Sequence, residues 1–194
     1  MGLAADEVVR SLRGSWRLMT QGAEALDELD LSRDGFWHSF AAFALMLPAT
    51  IAVLAAVRVL AGLPNSDGLF GSPLLVAAVI AAQCLAIFAV PALLIGLSPD
   101  LVHAPRFTSF VIAWNWAGIV SAGLMAVPAA VFAIGWATRE IATLQALAFA
   151  MIVLRLRYCV ARATFGAGSG IAVPLVMASI LADYAVIRLF VGIF

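Results

Sequence analysis

The chain has 194 residues, 64% of them hydrophobic and 11% charged, against about 45–50% and about 25% in globular proteins. Eleven arginines balance eleven acids, lysine is absent, and the formal net charge is zero. These figures exclude a disordered chain, argue against an ordinary soluble domain and leave nothing for a nucleic acid to hold. They describe an all-α membrane protein. Its apolar windows predict a five-span transmembrane helical bundle with an N-terminal amphipathic interfacial helix.

Residues 1–35 read as a cytoplasmic amphipathic and acidic segment. Val8, Leu12, Trp16, Met19, Ala23 and Leu26 fall on one helical face, with Arg10, Arg13 and Arg17 on the other. A tryptophan on the apolar side with arginines opposite is the make-up of a helix lying in the membrane interface. The same face could instead pack beneath the chain's own bundle. The acids Glu24, Asp27, Glu28, Asp30 and Asp34 follow. An anionic leaflet repels carboxylates, so this stretch is expected to dock on a cytoplasmic arginine cluster, Arg155, Arg157 and Arg162. A solvated charge run is the alternative. Phe36, Trp37 and Phe40 then mark an aromatic belt.

Residues 36–194 form the transmembrane domain, with approximate spans 37–60, 73–97, 107–134, 139–161 and 170–192. The fourth span has an uncharged run of only 141–154, a length that would also suit a re-entrant or core segment. Arginine placement supports it as a full crossing. With the N-terminus cytoplasmic and the C-terminus periplasmic, eight arginines lie inside and three outside, as expected for a bacterial inner membrane. Pro48, Pro91 and Pro128 should kink their helices, while Pro174 sits in a first turn. Gly118 and Ala122 offer a small-residue contact on the third span. Cys84 and Cys159 read as small buried hydrophobes.

A charge at membrane depth needs a partner or a task. Asp183 is the single acid expected deep in the bilayer, with Tyr184 beside it. Arg155, Asn115 or Gln83 on other helices are its expected partners. Arg188 is five residues along the same helix and faces away, and Arg58 and Arg188 are expected to snorkel from helix ends. Trp114 and Trp116 flank Asn115 as packing residues. No catalytic set assembles: HExxH, paired intramembrane aspartates and Gly-x-Ser-x-Gly are all missing. His38 and His103 share the inner surface, but a zinc site would need Asp34 or Asp100 as well, so no metal and no cofactor are expected.

The stretches DLSRDGFWHSF (30–40) and LRYCVARATFGAGSG (156–170) resemble small bacterial inner-membrane proteins, and the five-span plan is similar to the Yip-domain family. The resemblance implies membrane organisation, trafficking or partner recruitment rather than catalysis, and it transfers no site residues. The sequence thus predicts a non-enzymatic membrane scaffold or accessory subunit. Its partners would be the lipid bilayer and either other membrane-protein subunits or further copies of itself. A small oligomeric transporter or channel using Asp183 and a lipid- or curvature-sensing protein are the alternatives.

Overall fold

The computed structural model describes residues 5–62, 73–97, 105–166 and 170–191, and throughout these the regular structure is helical. Helix α1 (Ala5–Gln21) ends at Gly22, whose φ of +63° suits glycine, and a 3₁₀ segment (Gly22–Glu28) turns back along it. Gly14 permits that return: a Cβ there would stand 2.9 Å from the Glu28 side chain. Ser32 caps α2 (Arg33–Ser39), its hydroxyl accepting the Gly35 N–H at 3.1 Å. Asp30 accepts the Ser32 N–H at 3.0 Å. Hydrogen bonds from the Ser32 hydroxyl and N–H hold the Asp30 carboxyl below its ordinary pKa.

The expected first span, 37–60, is a chain of three pieces: the end of α2, α3 (Ala42–Leu45) and α4 (Leu47–Leu60). Around Phe40 the backbone tightens to i→i+3 bonds, with Ala41 N–H donating to His38 at 2.9 Å and Phe43 N–H to Phe40 at 3.1 Å. Pro48 has no N–H for the Ala44 carbonyl, so the helix restarts at Leu47 with the proline in its first turn. Helix α5 (Pro73–Leu97) and helix α6 (Pro105–Ala133) both open on proline. Pro91 and Pro128 lie inside these two helices, which continue through them. Helix α7 (Arg139–Phe165) is capped by Thr138 and ends at Gly166, φ +95°. It runs past the expected limit of 161, so the arginine cluster lies on the helix. Helix α8 is Ala172–Val191, with Pro174 in its first turn.

Three helical runs are long and apolar enough to cross a membrane: Arg33–Leu60, Arg106–Ala133 and Arg139–Phe165. Ile80–Gly96 and Ala172–Ala185 are shorter apolar helical stretches. Helix α6 is central. It packs on α1, α2, α3, α4, α5 and α7, while α7 also meets α1 and α8, and α5 meets α8. Residues 110–117 of α6 are buried on every side. Around them gather Leu18 and Leu29, Val90 and Leu94 of α5, Leu156 and Phe165 of α7, and Leu175 of α8. The Phe110 ring sits 5.2 Å from both Trp114 and Phe165. Large apolar side chains line the outward faces of α4, α5, α7 and α8.

Two expectations about the N-terminal segment change. Helix α1 packs on α6 and α7 with Ser11, Ser15 and Leu18 buried and Val8, Leu12 and Met19 half-buried, while Gly14 faces the returning 3₁₀ segment. Trp16, expected on the apolar face, is 46% exposed. A close helix–helix approach needs small residues at the contact, so the serine face turns inward and the indole turns out. The acidic stretch lies beside α7, but its carboxylates do not pair with the arginine cluster. Glu28 pairs with Arg17 at 2.5 Å inside the segment itself. Among the described residues neither Arg155 nor Arg162 has a carboxylate partner. Apolar contacts make the docking, and Arg155 adds a hydrogen bond to the Met19 carbonyl at 3.5 Å, where the carbonyl end of α1 favours a cation.

Gly35 is fixed by its surroundings, since a Cβ would lie 2.0 Å from the Asp30 carbonyl oxygen. Gly35→Ala is therefore expected to lower the melting temperature clearly, by the overpacking cost of about 1–3 kcal/mol, in a thermal unfolding assay. The lowered Asp30 pKa adds stability that is complete above the ordinary carboxylate range and is lost as pH falls through the lowered value. Asp30→Asn should flatten the acid limb of a stability–pH profile; an unchanged limb rejects that role.

Candidate functional site

Six helices each deliver a polar side chain to the interior of the bundle. On α4, Thr50 hydrogen-bonds through its hydroxyl to the Gln83 Oε1 of α5. On α6, Asn115 donates from Nδ2 to the Ser39 hydroxyl at 3.0 Å. Ser39 has its own proton committed to the Phe36 carbonyl at 2.7 Å, which fixes the Asn115 amide orientation. Asn115 Oδ1 is then buried with no hydrogen-bond partner. Between α7 and α8, Arg157 donates to Asp183 Oδ2 at 2.5 Å and to the Ser179 hydroxyl at 3.2 Å. Its guanidinium carbon also stands 5.7 Å from the centroid of the Trp114 ring.

Gln83, Asn115, Arg157 and Asp183 line one cavity of about 230 Å³, walled by Trp114 and by apolar side chains that include Met46. Gly118 makes room for that wall: a Cβ would stand 2.6 Å from Met46 Cε. Gly118 thus serves a helix–side-chain contact across the α4–α6 junction. The cavity is apolar over most of its lining and electrically balanced, since its one acid faces its one arginine.

The partner of Asp183 is Arg157, not the expected Arg155. Arg155 and Arg157 are two residues apart, about 200° around a helix, so only one of them can face α8. Arg155 is exposed and points to α1. Gln83 and Asn115 share the cavity with Asp183 but bond Thr50 and Ser39. Ser179 stands one turn before Asp183 on the same face, and that spacing was a usable signal for the arginine's docking position. Tyr184 is exposed and lies outside the cavity. Arg58 is 8% exposed, so it is buried instead of snorkelling, whereas Arg188 is exposed. Trp114 and Trp116 both belong to the core.

At the α1 end, His38 Nδ1 lies 2.9 Å from Glu7 Oε1, tying α2 to the first turns of α1. His103 and Asp100, the other members of the conceivable zinc set, lie outside the described residues. Among the described residues no three His, Cys, Asp or Glu side chains cluster as a metal site would need. Cys84 and Cys159 are half-buried free thiols. Comparison with family models, curated proteins and solved structures finds no match.

A pair that holds two helices together has a double-mutant signature. Arg157→Leu and Asp183→Leu should each destabilise by leaving a lone charge, and the double variant should recover much of the loss. A coupling of about 0.5–3 kcal/mol in a thermal-denaturation cycle is expected, and strict additivity would rule the pairing out as a stabilising contact.

Proposed function

We propose that the chain is a multi-pass protein of the bacterial inner membrane with five spans, a cytoplasmic N-terminus and a periplasmic C-terminus. Its role is that of a non-enzymatic scaffold or accessory subunit of a membrane complex. The observation that carries this reading is the Arg157–Asp183 pair. The deepest acid of the chain is neutralised by the neighbouring helix, so the charges serve cohesion between helices. The outward apolar faces of α4, α5, α7 and α8 offer surfaces for lipid, for other membrane-protein subunits or for a second copy of this chain. The likeness of plan to Yip-domain proteins belongs to the same reading.

A second reading is favoured by one observation. Gln83, Asn115 and Asp183 line a common cavity, as a small oligomeric transporter or channel would require. Mild detergent extraction followed by native electrophoresis tests the first reading: a discrete larger complex, lost on bulky substitution of an outward face such as Leu181→Trp, is the expected result. A chain that migrates alone under all conditions overturns it. Reconstituted vesicles test the second. Solute or ion flux that Asp183→Asn abolishes while assembly persists would move the assignment to transport.

A further inference from the structure

We propose that the cleft between α1 and α7 binds an anionic phospholipid. Arg155 and Arg162 hold its phosphate, and an acyl chain lies along the outer face of α7. The inference rests on the membrane reading above and adds a ligand to it.

The helix carries the whole motif on one face. Leu144, Leu147, Met151, Arg155, Tyr158 and Arg162 follow one another at spacings of three or four residues. Leu144, Leu147 and Met151 are 68%, 61% and 68% exposed, so they form an open apolar track. The track runs into the two exposed arginines at the end of the bundle where α1 packs. There a cleft of about 370 Å³ opens between the helices, lined by Leu18, Met19, Tyr158, Cys159 and Arg162. Arg155 stands at its rim, held by the Met19 carbonyl.

The charge is unspent. Among the described residues no carboxylate pairs with Arg155 or Arg162, although the acidic stretch lies on the adjacent 3₁₀ segment. The exposed acids of that segment, Glu24 and Asp27, leave both guanidinium groups without an ion pair. The two arginines are seven residues apart, about 10 Å along the axis, a gap that two long side chains close around one phosphate. Exposed Arg10, Arg13 and Trp16 on the outer side of α1 have the composition of the headgroup layer, which sets the cleft at phosphate depth.

The apolar track separates lipid from free phosphate. Inorganic phosphate would meet the arginines alone, whereas a phospholipid uses the arginines and the track together. The net charge separates the lipid classes, because a zwitterionic headgroup carries its own cation beside the phosphate.

The test uses the full-length protein in dodecyl maltoside with three probes: dioleoylphosphatidylglycerol, dioleoylphosphatidylcholine and inorganic phosphate. Thermal melts should show saturable stabilisation by phosphatidylglycerol, with half-saturation shifted about tenfold or more to higher concentration in the Arg155→Gln/Arg162→Gln variant. On a Cys84→Ala background, phosphatidylglycerol should slow maleimide labelling of Cys159. That arm keeps both arginines, so it decides the matter even where the double variant does not fold. Equal effects from phosphatidylcholine, equal effects from inorganic phosphate, or an unprotected Cys159 each overturn the proposal. Release of the chain from membranes by alkaline carbonate would instead overturn the membrane reading on which it rests.

Discussion

A helix buried on every side needs neighbours on every side, and residues 110–117 of α6 set that demand for the whole molecule. Phe110 and Trp114 point to one side of the axis and Ile112 and Trp116 to the other, so no single partner helix can cover them. Helices α4 and α7 take two sides, and α1 with α2 takes the side nearest the chain start. This explains why the N-terminal segment belongs to the core. Leu18, Ala25 and Leu29 are buried in the same core as Phe110 and Trp116, at about 1.5–3 kcal/mol for each large side chain removed from water. The small face of α1 and the glycine at position 14 follow from the same demand, because the covering layer must approach closely.

Three arginines around this apolar centre, Arg155, Arg106 and Arg157, each sit where backbone or carboxylate oxygen is in surplus. Arg155 meets the carbonyl end of α1, and Arg106 meets the carbonyl of Phe165 at the end of α7, at 3.4 Å. Arg157 meets Asp183, with Ser179 and the Trp114 ring completing its surroundings. Asn115 Oδ1, by contrast, is buried without a partner, as are Ser15 Oγ and Gln145 Oε1, and Asn115 lines the cavity. That open acceptor shares the cavity with the balanced Arg157–Asp183 pair.

Hydropathy made the helical segments legible, and the punctuation residues fixed their limits. Pro73, Pro105, Thr138 and Gly166 each stand at an observed helix boundary, because each carries a local backbone reason to start or stop a helix. Pro48 signalled a kink in the first span, and the helix restarts beside it; the tightened turn at Phe40 carried no such signal. Rotation of a helix about its own axis was also hidden. Trp16 and Ser15 exchange inside for outside through a turn of about 100°, and the choice depends on how close the partner helix comes. The same uncertainty in azimuth concealed Arg157 as the partner of Asp183. Which polar residues would matter was visible in their scarcity; which of them would meet was a property of the packed bundle.

The broken helical run 33–60 bears on how the chain is made. Its pieces α2, α3 and α4 are joined by short-range bonds, and Ser39 at the junction is satisfied in part by Asn115, some seventy residues later in the chain. On the membrane placement proposed above, this segment leaves the ribosome with a kink and polar groups that its own sequence does not cover. It reaches its final form only when α6 arrives beside it. The order of synthesis and the order of completion therefore differ, because this early segment waits for a partner made some seventy residues later.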